Sequence, residues 1–187
     1  METKTPENAG SVIAVARDGG HNFSKPTCDN IKLVSGLGVE GDAHFGKTVQ
    51  HLYRIKKDPD VPNLRQIHLI HSELHDELRG KGFAISPGDM GENITTQGLD
   101  ILDLPCGTIL KIGEQAAIEI TGLRNPCYQL NDFRDGLMKA CLDKAADGSV
   151  IFKSGIMGVI VQDGTVKPGD QIQIELPAEP YIPLDLV

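Results

Sequence analysis

The sequence predicts a mostly-β fold with a few helices, closed as a barrel, and three observations lead there. Short strand-like runs recur at Ser11–Arg17, Ile31–Val34, Gln66–Ile70, Gly107–Ile112, Ala117–Thr121, Gly158–Val161 and Gln171–Leu176. Gly, Asp and Pro turn signals separate them, and regular short strands of this kind suit a barrel. The hydrophobic residues, 40% of the chain, include no Trp, and aromatics make up only 4%, so Val, Ile and Leu must fill the interior.

In chain order, Ser11–Arg17 is a Val- and Ile-rich strand closed by the turn Asp18-Gly19-Gly20. Ile31–Val34 follows as a second strand. Gly36, Gly38, Gly41 and Gly46 then make the stretch through His44 a glycine-rich loop, a candidate wall for a site. Val49–Asn63 carries the polar run Lys56-Lys57-Asp58-Pro59-Asp60-Val61-Pro62, which cannot continue a helix or a central strand and so predicts a surface excursion. After the strand at Gln66–Ile70, Ser72 is placed to cap a helix over Glu73–Lys81, with Leu74 and Leu78 on one face and Gly82 as its stop. Leu137, Met138, Cys141 and Leu142 repeat at helical spacing, predicting a second helix over Asp135–Ala146 that ends at Gly148.

A length of 187 residues fits one domain, with its core at about 11–176 and a C-terminal tail at 177–187. The net charge of -8 argues against binding nucleic acid over a broad surface, yet leaves room for a local basic pocket. Cys28, Cys106, Cys127 and Cys141 have no CxxC spacing, and Met1–Gly10 lacks the pattern of a signal peptide, so free thiols in a reducing cytoplasm are expected. No apolar run nears the roughly 20 residues of a membrane helix, so a soluble protein is expected, with no membrane partner.

Several motifs are incomplete. Gly36-Leu37-Gly38-Val39-Glu40-Gly41 matches GxGxxG, but a dinucleotide site needs a helix to begin within it, and here the loop continues. His71-Ser72-Glu73-Leu74-His75 places its Glu one position late for a zinc-protease helix. The H-x-E of zinc deaminases needs a P-C-x-x-C partner, whereas Pro126-Cys127-Tyr128-Gln129-Leu130 has one thiol. His68, His71 and His75 are better explained as partly exposed surface histidines than as a metal site. Ser35, Ser86 and Ser154 lack the frame of a nucleophile elbow.

Leu123-Arg124-Asn125-Pro126-Cys127-Tyr128 is more informative. A cation stands three residues before a thiol in a Pro-stiffened loop, and a nearby guanidinium favours the thiolate, the reactive form. Composition alone leaves it equally open that Cys127 is a buried small hydrophobe, the reading that suits Cys141 better. Gly88-Asp89-Met90-Gly91-Glu92-Asn93-Ile94-Thr95-Thr96 suits either a loop whose backbone approaches a polar ligand or a tight turn into a strand.

Taken together, four segments resemble the MOSC domain, the family named for the C-terminal domain of molybdenum cofactor sulfurases. They are Gly41-Asp42-Ala43-His44-Phe45-Gly46, the run from Gly91-Glu92-Asn93-Ile94-Thr95-Thr96 through Asp100, the Leu104-Pro105-Cys106-Gly107 turn, and Arg124-Asn125-Pro126-Cys127. The resemblance implies a strongly bent MOSC-type β-barrel with Cys127 as the characteristic cysteine. That residue would carry sulfur as a persulfide or bind the molybdenum of a molybdopterin-type cofactor. It further implies that Asn93, Thr95 and Thr96 line the pocket, that Arg124 favours an anionic pterin phosphate or persulfide, and that His44 joins them.

The chain is too short for the pyridoxal-phosphate desulfurase domain of fused sulfurases, so a cysteine desulfurase is the expected sulfur donor. It also lacks the extra N-terminal barrel region of amidoxime-reducing relatives and any ferredoxin-like cysteine cluster, as expected of a standalone bacterial-type member. The implied activities are reduction of N-hydroxylated small molecules, which needs an electron-transfer partner, and sulfur carriage. The alternative from another class is a non-catalytic module that binds a pterin or sulfur-bearing metabolite.

Overall fold

The computed structural model describes residues 8–187. The elements are β1 (Asn8–Ala16), β2 (Thr27–Cys28), β3 (Ile31–Val34), β4 (Gly38–Val39), α1 (Leu52–Lys57), β5 (Ile67–His71), α2 (Ser72–Gly80) and β6 (Ile94–Gln97). They continue with β7 (Ile109–Ile112), β8 (Ala116–Leu123), α3 (Gln129–Phe133), α4 (Leu137–Ala140), β9 (Leu142–Lys144), β10 (Val150–Phe152), β11 (Ile156–Gln162), β12 (Gly164–Val166) and β13 (Gln171–Glu175).

Seven strands close a barrel in the order β13-β7-β8-β11-β5-β6-β1, with β1 returning to β13 and β2 attached to the outer edge of β1. All neighbours are antiparallel except β5 and β6, which α2 connects as a crossover. Closure removes the exposed strand edges that an open sheet would present. The register of β1 shifts between Val12 and Ala14, and that of β11 shifts twice along β8. Bulges of this kind bend strands and supply the curvature of a small barrel.

The barrel interior is aliphatic as expected, with Val12, Leu69, Ile94, Leu110, Ile118, Ile156 and Ile172 all buried. A second cluster outside the barrel wall joins Ile70 to Leu74 and Leu78 of α2, Leu130 of α3 and Leu137 of α4. Each such side chain contributes about 1.5–3 kcal/mol over leaving it in water. Burial of Leu130 and Leu137 therefore anchors two helices too short to persist alone.

Two local expectations are corrected. Ser72 is not the helix cap: extended His71 holds that position, and Ser72 is the first helical residue. The helix over Asp135–Ala146 is a single turn, α4, followed by the β9–β10 hairpin. Asp147-Gly148-Ser149 turns the chain there, with Gly148 at φ 86°, and Val150–Phe152 pair back on Leu142–Lys144. The C-terminal stretch 177–187 lies along the barrel. Cys106 N–H donates to Ile182 O at 2.8 Å, Leu123 N–H to Asp185 O at 2.8 Å, and Leu184 packs on the barrel core. No helix among the described residues is long and apolar enough to cross a membrane.

Candidate functional site

One end of the barrel, where β8 finishes and β5, β6 and β11 begin, opens into a pocket of about 540 Å³. The lining side chains include Lys25, Arg54, Arg65 and Arg124, the histidines His21, His44, His51 and His68, and Cys127. Among the described residues no carboxylate lines it, although the whole chain carries a net charge of -8. The acidic surface thus surrounds a basic recess.

Cys127 sits on the loop between β8 and α3, half-buried, its Sγ 3.4 Å from Gln129 Oε1. Leu130 N–H donates to the Cys127 carbonyl at 3.1 Å, tying the loop to the buried turn of α3. Arg124, at the start of the same loop, is 8% exposed, and its guanidinium lies 5.8 Å from the Phe23 ring centre. Its Nη1 is buried with no hydrogen-bond partner among the described residues. Burial lowers the pKa of Arg124, opposed by attraction to Cys127, Cys141 and Glu92. Burial also pulls Arg65 down to about 10, aided by repulsion from Arg54 and Arg124 and opposed by Cys127. Both guanidinium groups are therefore within electrostatic reach of the Cys127 sulfur, and each is stabilised when that sulfur is a thiolate. Cys141 is different: fully buried in the second cluster, its thiol is pushed up to about 11 by burial.

Behind the pocket wall, Asp42 organises the polar floor. Its carboxylate accepts from Lys25 Nζ at 2.7 Å, Asn93 Nδ2 at 2.9 Å and the His44 backbone N–H at 3.0 Å, with His44 Nδ1 at 3.2 Å. Burial by itself would raise the Asp42 carboxyl, but these bonds and the Lys25 charge outweigh it and hold it well below the usual carboxylate range. Gly88, at φ 85°, brings its carbonyl 2.8 Å from Lys25 N–H, and a Cβ there would run into the Lys25 carbonyl. Asn93 spends its amide on this frame, donating also to Ala16 O at 3.1 Å while Oδ1 accepts from His68 N–H at 3.2 Å.

His68 is buried, and its Nε2–H donates to Ser154 O at 2.8 Å. Burial, reinforced by Arg124, lowers its pKa well below the ordinary histidine value, so the ring is neutral. His75 is also buried, with Nε2 3.2 Å from Glu92 Oε1. The expectation of partly exposed surface histidines at 68 and 75 is thereby corrected. Among the described residues no group of three or more His, Cys, Asp or Glu is placed to hold a metal ion by itself.

Of the site residues expected from sequence, the fold brings Cys127, Arg124, Asn93 and His44 together at the pocket and leaves Thr95 and Thr96 out of its lining. Strand alternation is the reason. Ile94 points into the barrel core, Thr96 follows it, and Thr95 points the other way, donating to Glu92 Oε1 at 3.3 Å. Lys25, Arg65, His51 and Arg54 were not anticipated. Each comes from a segment distant in sequence, and the one available signal was that the polar excursion at 49–63 is rich in bases.

Comparison with known proteins bears on this arrangement. No curated protein matches. Among solved structures, the YuaD protein from Bacillus subtilis superposes with a TM-score of 0.72 at 22% identity, covering 90% of this chain and 97% of its own. YiiM from Escherichia coli gives 0.57 at 22% identity, covering 92% and 73%, and YiiM from Geobacillus stearothermophilus gives 0.60 at 18%, covering 96% and 80%. At such identities these likenesses establish the fold. The sequence pattern of the MOSC domain matches residues 40–173, a span that contains Asp42, Asn93, Arg124 and Cys127 and runs from the loop after β4 into β13. With that match and the closed barrel in agreement, the chain belongs to the MOSC domain family.

Proposed function

We propose that the pocket takes a molybdopterin-type molybdenum cofactor, with Cys127 as its protein donor to molybdenum, and that the chain uses it to reduce N-hydroxylated small molecules. The observation that carries this reading is the donor set: one half-buried thiol among four cationic side chains, with no carboxylate among the described lining residues. A soft thiolate suits molybdenum, whereas hard cations such as magnesium or calcium favour the carboxylates that are missing from the lining. Since no three His, Cys, Asp or Glu donors are gathered among the described residues, the metal would arrive on its own organic ligand. The orphaned Nη1 of Arg124 and Nδ1 of His51 fit an oxygen-rich anion such as the phosphate of a pterin.

When bound, such a cofactor supplies a metal centre that passes electrons to the substrate. Arg124 and Arg65 would neutralise its phosphate. Asp42 and Asn93 fix Lys25 and His44, and neutral His68 keeps its proton on Nε2 toward Ser154. Releasing the substrate oxygen as water consumes electrons and protons, so an electron-transfer partner is required. Four free cysteines fit a reducing, cytoplasmic setting.

The test is intact mass with elemental analysis on the wild-type chain and Cys127→Ser, both made in a host that synthesises molybdenum cofactor. Molybdenum present in the wild type and lost in the variant supports the reading. A sulfur-sized mass on the wild type alone would instead make Cys127 a persulfide carrier fed by a desulfurase. Cofactor retained equally by both would reduce the chain to a binding module.

A further inference from the structure

β7 pairs with β8 only from Ala116 to Glu119, so the last residues of β8 need another backbone partner on that side. Residues 185–187 take the place. Leu123 N–H donates to Asp185 O at 2.8 Å, and Val187 N–H donates to Leu123 O at 3.2 Å. Leu186 thereby lies opposite Leu123 in a parallel bridge, while Ile156 of β11 pairs with Leu123 from the other side. This close approach depends on glycine at position 122. A Cβ there would lie 2.6 Å from Asp185 O and 2.9 Å from Val187 Cβ, and the three atoms nearest to it all belong to residues 185 and 187.

The same three residues reach one cation of the pocket. Arg65 Nη1–H donates to Val187 O at 2.5 Å, and among the described residues the Arg65 side chain makes no other hydrogen bond. Burial and repulsion from Arg54 and Arg124 both work against a guanidinium at this place. The carbonyl therefore holds one corner of a five-donor fork and leaves the other N–H groups free. The Arg65 backbone is fixed separately: its N–H donates to Asn63 Oδ1 at 3.1 Å, and Thr121 Oγ1–H donates to Leu64 O at 2.6 Å. What depends on residues 185–187 is the direction of the side chain.

We propose that residues 185–187 are a positioning strap, whose Val187 carbonyl aims the Arg65 guanidinium into the pocket and so sets the pocket's affinity for an anion. This rests on the pocket being an anion site, as proposed above, and the test separates the two. Gly122→Val displaces the strap without altering a pocket side chain, and valine itself suits a strand. Calorimetry with inorganic phosphate compares the wild type, Gly122→Val, Arg65→Met and the double variant, at a temperature where near-ultraviolet circular dichroism shows each to be folded. Each single variant should weaken phosphate binding by about tenfold. The double variant should bind no more weakly than Arg65→Met, because the strap acts through that guanidinium.

A strap that serves stability alone would lower the melting temperature of Gly122→Val and leave its phosphate affinity unchanged, and that result overturns the proposal. Tighter binding by Gly122→Val also overturns it, since the Val187 carbonyl would then compete with the anion. Losses that add in the double variant overturn it as well, because the effect would bypass Arg65. A wild type that does not bind phosphate, or an Arg65→Met variant that binds it as well as the wild type, overturns the anion reading of Arg65 and the strap with it. If Gly122→Val does not fold, a chain ending at Leu184 takes its place in the same cycle.

Discussion

The Lys25 ammonium and the Asp42 carboxylate meet at 2.7 Å with only 5% and 1% of their side chains exposed, so the floor of the basic pocket is a buried ion pair. Asp42 is the group that makes a buried Lys25 tolerable, and it does so together with Asn93 and His44. The barrel mouth therefore holds a buried ammonium beside the pocket without leaving its charge uncompensated.

Asp42→Asn should cost about 3–5 kcal/mol, because it leaves Lys25 buried without its counter-charge. Urea denaturation measures this, and a loss under about 1 kcal/mol would show the pair to be incidental. Since the folded Asp42 carboxyl is held below its unfolded value, its contribution is complete above that value, near 3.9, and is lost as pH falls further. The wild-type melting temperature should accordingly fall more steeply below about pH 4 than that of the variant.

Arg124 shows the opposite balance. Its guanidinium is buried, one nitrogen has no partner among the described residues, and burial lowers its pKa. Arg124→Met should therefore leave stability unchanged or raise it by about 1 kcal/mol, while weakening phosphate binding by about tenfold or more. Parallel melting and calorimetry check this. A variant that loses stability and keeps affinity would make Arg124 a structural residue.

Burial lowers the pKa of His51, with help from Arg65, His44, Arg54 and His21, so the ring is neutral in the free pocket near neutral pH. A bound anion reverses that field and favours the imidazolium. Binding should thus take up a proton, and affinity for sulfate, which does not itself titrate there, should rise as pH falls from about 7 to 5. His51→Gln should flatten the profile; an unchanged slope would move the proton to another pocket histidine.

The strands were legible because their signal is local. The alternating apolar residues and turn glycines around β1, β3, β5, β7, β8, β11 and β13 specify them without tertiary help. The failed helix after Asp135 shows the limit. Leu137, Met138, Cys141 and Leu142 serve equally well as one helical turn running into a strand, and what decides is pairing with Val150–Phe152 across a turn. The site divides the same way. Arg124 and Cys127 share one loop and could be read together, while Lys25, Asp42 and Arg65 meet only because the barrel closes. Thr95 and Thr96 were grouped with Asn93 as one motif, but β6 begins one residue after Asn93 and turns them onto opposite faces behind the pocket.

Whether Cys127 ligates molybdenum is decided by X-ray absorption at the molybdenum edge of cofactor-loaded protein, wild type against Cys127→Ser. A sulfur scatterer supplied by the protein should be present in the wild type and disappear in the variant. An identical sulfur shell in both would contradict Cys127 as the molybdenum ligand.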